Sequence, residues 1–259
     1  MRKNIVKEML QNRQVVIGTM IALVRTPAIA TIVKQVGFTF VVIDLEHSSF
    51  SLETMADIAQ MARGINLVPI VRVPFTKQKP LSRYLDAGAM GLLLPHVETL
   101  DDLEQAVKQI RYFPLGERSI SFHNAHTDFH PGQRDETLKR LNEETMLLVQ
   151  IESEKGANNL ENLLATGQVD AVFIGPNDLS QSMGYPGQIN HPKVVARIQH
   201  IITVCERFNI ASGVHTYTPS DTAQWVKRGA RIFMFGTDTR FLLQASRHLV
   251  ELESLLGQS

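Results

Sequence analysis

The 259-residue chain predicts an α/β fold, a (β/α)8 barrel with one insertion before its fifth strand. Three observations carry that expectation. Eight short apolar runs alternate with longer amphipathic segments, and eight such units of about 32 residues fill the length of about 250 typical of this barrel. The runs are rich in Val, Ile and Phe without clean alternation, as strands buried on both faces of a parallel sheet are. The first strand-to-helix turn lacks a Gly-rich phosphate fingerprint, which disfavours the alternative, an open doubly wound sheet.

Taken in order, the strands are expected in QVVIGTMIAL (14–23), FTFVVIDLE (38–46), LVPIVRVP (67–74) and AMGLLLPHV (89–97). The other four are TMLLVQIE (145–152), DAVFIGPND (170–178), IASGVHT (210–216) and ARIFMFGTD (230–238). Between them, segments such as SLETMADIAQMARG and TLDDLEQAVKQIRY open on a Ser or Thr N-cap with acid in the first turn. Gly37, Gly88, Gly167 and Gly229 stand where C-caps close helices before the next strand. Residues 113–144 break the rhythm as a long, polar, His-containing excursion, and loops of that length are functional or disordered. The final stretch, 239–258, carries apolar residues around most of a helix, more than one docking surface requires. One barrel domain over 1–259 is expected.

Composition narrows the function. The chain has 26 Lys+Arg and 26 Asp+Glu, a balance that gives no field to gather nucleic acid. Hydrophobic residues make up 44% and charged ones 20%, a globular ratio. A single cysteine, Cys205, forms neither an internal disulfide nor a thiolate cluster. No apolar run is long enough to span a membrane, and MRKNIVKEML does not read as a secretory signal. A soluble, cytoplasmic protein with a small-molecule substrate is expected.

Chemistry in this fold sits at the C-terminal ends of the strands, so ionisable residues there are informative. The second strand ends in Asp44, Leu45, Glu46 and His47, and the third carries Arg72 between two valines. The fifth ends in Gln150 and Glu152 on one face, and the sixth in Gly175, Pro176, Asn177 and Asp178. Glu152 and Asp178 are one βα unit apart. They read as a hard divalent-metal site, as a general acid/base pair, or as helix caps and ion-pair partners. His47 is either a helix-capping histidine or a general base oriented by Asp44, with Arg72 near enough to stabilise an oxyanion. His96 follows the fourth strand and is weighed as a packed or solvated histidine against a pocket residue. His123, His126 and His130 fit no standard metal spacing. None of the eight runs contains lysine, which disfavours an imine-forming aldolase.

Six segments together resemble one family: FTFVVIDLEHSSF, VPIVRVP, RYLDAGAMGLLLPHVET, IRYFPLGERSIS, VQIESEKGANNL and DAVFIGPNDLSQSMGYPG. They are similar to the HpcH/HpaI aldolases, metal-dependent class II pyruvate aldolases. The resemblance implies a (β/α)8 barrel, assembled as a homo-hexamer (a dimer of trimers) with the last helix exchanged between subunits. It implies a divalent metal (Mg²⁺ or Mn²⁺, with Co²⁺ as an alternative) held by Glu152 and Asp178. Gln150 lies in the substrate pocket, and the amides of Asn177 and Asp178 hold the pyruvate carboxylate. Arg72 stabilises the enolate oxygen, His47 handles protons beside Asp44, and Asp86 is supplied by the adjacent subunit. Met20 and His215 depart from the family pattern at positions that line the aldehyde side.

The implied activity is an aldehyde-lyase that splits a 4-hydroxy-2-oxo acid into pyruvate and an aldehyde. Two rivals are a citrate-lyase-type acyl-CoA lyase on the same barrel and a non-catalytic barrel that binds 2-oxo acids.

Overall fold

The computed structural model describes residues 2–74 and 80–256, with side chains described up to residue 247. Eight parallel strands close into a barrel in sequence order, each hydrogen-bonded to the next and β8 to β1. They are β1 (Val16–Ile21), β2 (Phe40–Asp44), β3 (Val68–Arg72), β4 (Gly91–Leu94), β5 (Met146–Ile151), β6 (Ala171–Ile174), β7 (Ala211–Thr216) and β8 (Ile232–Thr237). Every strand falls inside its expected run, because only eight segments combine β-branched and aromatic residues with two buried faces.

The first six helices are α1 (Ile5–Gln11), α2 (Ala28–Val36), α3 (Leu52–Gly64), α4 (Ser82–Asp86), α5 (Leu100–Ile110) and α6 (Arg134–Glu144). Six more follow: α7 (Glu154–Asn158), α8 (Leu160–Ala165), α9 (Pro176–Ser182), α10 (Pro192–Arg207), α11 (Pro219–Lys227) and α12 (Asp238–Leu256). Ser51 caps α3 through the Thr54 amide, and Thr99 with Asp102 forms a capping box on α5. Gly37, Gly88, Gly167 and Gly229 all take positive φ, as the C-cap expectation requires.

Side chains divide cleanly by strand alternation. Phe40, Val42, Val68, Ile70, Leu148, Phe173, Ile232 and Met234 fill the barrel interior. Val41, Ile43, Val71, Leu147, Val149, Val172, Val214 and Phe233 face outward onto the helices. Helix α1 packs Val6 and Leu10 against the interior cluster and so closes the N-terminal end. Its N-cap Asn4 is buried and donates to the carbonyls of Met90 and Glu144.

Two features differ from the expectation of eight helices and one long loop. The β5–β6 and β6–β7 connections each hold two helices, and α1 precedes the barrel. The 113–144 excursion is an ordered buttress whose second half is α6. Asn142 of α6 exchanges two hydrogen bonds with the Tyr112 backbone, at 2.8 and 3.0 Å. Arg63 reaches Asp128 at 2.9 Å. The buttress therefore packs beside the ends of α3 and α4, away from the strand C-termini. Helix α12 is the stretch whose apolar residues exceed what one docking surface requires. It follows β8 for one turn, but residues 242–247 are all exposed, Leu242 by 54% and Leu243 by 59%, so it leaves its own barrel. The apolar positions of the 239–258 stretch from 248 on lie outside the described side chains. Ile32 (60%) and Val36 (68%) of α2 are also bare.

Candidate active site

Interior alternation carries Met20, Asp44, Arg72, Gln150, Glu152 and His215 to one end of the barrel, the C-terminal ends of their strands. Asp44 and Arg72 are Cα partners across β2 and β3. Arg72 donates from Nε to Asp44 Oδ1 at 2.9 Å and from a terminal nitrogen to Oδ2 at 2.8 Å. The same carboxylate accepts the amides of Glu46 at 3.0 Å and His47 at 3.4 Å, which bends the chain as it leaves β2. Asp44 thus orients Arg72 and the turn. The expected contact of its carboxylate with the His47 imidazole is replaced by one to the His47 backbone.

Burial works against the charge of Arg72. The hydrogen bond and charge of Asp44, with Glu46 and Glu152 behind it, outweigh that penalty and raise its pKa. The same terminal nitrogen also has a soft contact: the Met20 sulfur lies 3.8 Å away. Met20, expected on the aldehyde side, therefore touches the residue assigned to the pyruvate half.

Glu152 is 4% exposed and doubly held. Its Oε2 accepts a short hydrogen bond from Gln150, and its Oε1 accepts the His96 amide at 2.7 Å. The His96 ring then bridges two carboxylates, with Nδ1 3.0 Å from Glu152 Oε1 and Nε2 3.2 Å from Glu46 Oε1. His96 adopts φ +55°, a left-handed conformation uncommon outside glycine, at the one position where its amide and ring both turn to Glu152. Glu46 Oε2 lies 3.4 Å from Arg72 and 3.6 Å from the largely exposed His47 ring. Burial raises the Glu46 pKa; Arg72 and His47 oppose it, and Glu152 adds to it.

The start of α9 seats against this carboxylate. A Cβ on Gly175 would lie 2.9 Å from Glu152 Oε2 and 3.4 Å from Gln150, so only glycine leaves that space open. Asn177 and Asp178 follow in the first turn, exposed. Among the described residues, no side-chain partner of Asp178 is present, and no cluster of three or more His, Cys, Asp or Glu residues is arranged as a metal site.

On the far wall, His215 Nε2–H donates to the Gly236 carbonyl at 3.0 Å. Burial, with the charges of Arg72 and Arg240 added, pushes its pKa down to about 4. Asp86 lies elsewhere. It ends α4, near the N-terminal end of β4, and pairs with Arg118 at 2.5 Å. His126 is buried beside it, 3.6 Å away.

The structure thus brings together Asp44, Arg72, Gln150, Glu152, Met20 and His215, with His47, Asn177 and Asp178 on the rim. Sequence reasoning gave no role to Glu46 and left His96 between a packed or solvated histidine and a pocket residue. Both follow strand ends on the informative face, and that position was the available signal.

A sequence profile of the HpcH/HpaI aldolase/citrate lyase family matches residues 20–245. A 5-keto-4-deoxy-D-glucarate aldolase of Escherichia coli is 32% identical over 245 residues, covering 95% of this chain and 94% of that protein. An HpcH/HpaI aldolase from Desulfitobacterium hafniense superposes with a TM-score of 0.91 at 29% identity, over 95% of each chain. The citrate synthase SbnG superposes at 0.87 with 27% identity, over 98% of this chain and 99% of its own. With the barrel, the ring of polar residues at its mouth and a profile match over most of its length, the chain belongs to the HpcH/HpaI aldolase/citrate lyase family.

Proposed function

We propose that this protein is a divalent-metal-dependent aldolase that cleaves a 4-hydroxy-2-oxo acid to pyruvate and an aldehyde. The observation that carries the reading is the Glu152 carboxylate, buried against the open space at Gly175, with the Asp44–Arg72 pair on the same interior ring. The Escherichia coli relative is named for a compound of this class. Numbered from its other carboxylate, a 5-keto-4-deoxy-glucarate is a 2-oxo, 3-deoxy, 4-hydroxy acid.

The donor set fits a hard cation. Two carboxylates, Glu152 and Asp178, with remaining positions left to water and substrate oxygens, suit an ion that keeps several waters, such as Mg²⁺ or Mn²⁺, with Co²⁺ as an alternative. When bound, such an ion supplies Lewis-acid charge to the 2-oxo acid. Gln150 and His96 hold Glu152 in place for it. Arg72, fixed by Asp44, directs its remaining N–H donors at the enolate oxygen as negative charge develops there. His47, or a water it holds, takes the C4 hydroxyl proton. The C3–C4 bond breaks, its electron pair passes into the enolate, the aldehyde leaves, and C3 receives a proton to give pyruvate. The amides of Asn177 and Asp178 receive the pyruvate carboxylate.

Assembly is part of the reading. The helix after β8 belongs between α11 and α2 in this fold. Here α12 departs and leaves Ile32 and Val36 bare, which supports an exchange of α12 between copies in a homo-hexamer. Asp86, remote from its own chain's site, would then serve a neighbour.

The test is pyruvate α-proton exchange in D₂O with added Mg²⁺, Mn²⁺ or Co²⁺, followed by a panel of aldehydes. Metal-dependent exchange and aldol product are expected; full exchange by thoroughly demetallated protein overturns the mechanism. The similarity to a citrate synthase favours a second reading, acyl-CoA chemistry, which release of CoA thiol from acetyl-CoA and a 2-oxo acid would reveal.

A further inference from the structure

The wall formed by the ends of β7 and β8 carries a stack of three side chains, His215, Tyr217 and Arg240, that the proposed reaction does not use. The Tyr217 ring lies 4.6 Å from His215, tilted by 32°. The Arg240 guanidinium sits over the other partner of that pair, 4.2 Å from the Tyr217 centroid. Since His215 is tied to the Gly236 carbonyl, the stack has a fixed base at the mouth of the barrel.

We propose that Arg240, held on Tyr217, is a subsite for an anionic group on the aldehyde half of the substrate. The inference rests on the aldol reading above and deepens it. Three observations carry it. Arg240 has no carboxylate partner among the described residues, whereas Arg72 is paired with Asp44 through Nε and one terminal nitrogen. It stands in the first turn of the 19-residue α12, where the helix dipole favours negative charge and a cation gains nothing from its own helix. The acid of that turn, Asp238, is committed elsewhere: it accepts the amides of Ala22, Leu23 and Val24 at 3.1, 2.9 and 2.8 Å. The result is an unneutralised guanidinium, pre-oriented by stacking, on the side of the pocket opposite the carboxylates Glu46 and Glu152. His215 stays uncharged between Arg72 and Arg240, so it neither competes for the anion nor repels the two arginines. A substrate bound with its 2-oxo acid end at Arg72 and Glu152 extends its far end towards this stack.

Two matched pairs of aldehydes test it: 4-oxobutanoate against butanal for a carboxylate, and glyceraldehyde 3-phosphate against glyceraldehyde for a phosphate. Each is condensed with pyruvate by the metal-loaded protein, and the ratio of kcat/KM within each pair is read. The wild type is expected to prefer at least one anionic member, and which one identifies the group. Arg240→Ala should cut that preference about tenfold, the scale of a hydrogen bond to a charged group. Arg240→Lys should keep much of it, and Arg240→Glu should reverse it. An unchanged ratio in Arg240→Ala, or no anionic preference in the wild type, overturns the subsite while pyruvate exchange leaves the aldol reading intact. Absence of exchange in the wild type overturns the aldol reading, and the subsite with it.

Discussion

Asp44 and Arg72 face each other on adjacent strands and share two hydrogen bonds, at 2.9 and 2.8 Å, so the guanidinium plane is set before any substrate arrives. A preorganised donor of this kind costs no reorientation when charge develops, and losing one typically lowers turnover about 10²–10³-fold. Arg72→Ala should slow pyruvate α-proton exchange by that factor. Arg72→Lys should not restore it, because lysine has no fork to match the Asp44 carboxylate. Asp44→Asn should fall between wild type and Arg72→Ala. Exchange at the wild-type rate in Arg72→Lys would show that charge alone suffices.

The two holders of Glu152 make a separate prediction about metal affinity. Partners that orient a ligand typically contribute about 10–100-fold to binding of the ion. Titration of the demetallated protein with Mn²⁺, read by calorimetry, should show no binding in Glu152→Gln and a site weaker by about that factor in His96→Phe. Wild-type affinity in Glu152→Gln would remove Glu152 as a ligand. Wild-type affinity in His96→Phe would reduce its bridge to packing.

Exposed Leu242 and Leu243 on a helix that has left its own barrel predict an obligate assembly. The double change Leu242→Asp with Leu243→Asp should shift the sedimentation profile from the proposed hexamer towards smaller species and lower activity with it. An active wild-type monomer at working concentration would refute both helix exchange and the sharing of Asp86.

Stability should depend on pH through His126. Burial first, then the charge of Arg118, lowers its pKa from 6.5 to about 4 in the folded protein. The unfolded chain therefore binds the proton first as pH falls. Stability is fully present above about pH 6.5, declines through the window down to about pH 4, and levels off below it. The cost is on the order of 3 kcal/mol, since each tenfold loss of proton affinity is worth about 1.4 kcal/mol. Denaturant midpoints at pH 7 and pH 4.5 should differ less in His126→Gln than in the wild type. Equal differences would place the acid sensitivity in other groups.

Much of this protein could be read from residue order alone. Eight strands, their helix caps and the turn glycines are local: each depends on spacing within a few residues, and each landed where spacing placed it. The identity of the mouth residues was legible too, because parallel strands deliver every C-terminal end to one face. What the order of residues did not settle were relationships between segments distant in the chain. Asp44 pairs with Arg72 rather than with the His47 ring because strand register, a property of two segments, makes them opposite neighbours. His96 stayed undecided between a packed or solvated histidine and a pocket residue because its two carboxylates, Glu46 and Glu152, lie 50 and 56 residues away. The 113–144 segment read as a loop because its polar surface hides one buried stripe, Ala125, His126, Thr127, Thr137 and Leu141, that exists only against the rest of the barrel. The 239–258 stretch showed in its apolar excess that more than one surface would be covered; the direction in which the chain leaves β8 decides which surface covers it.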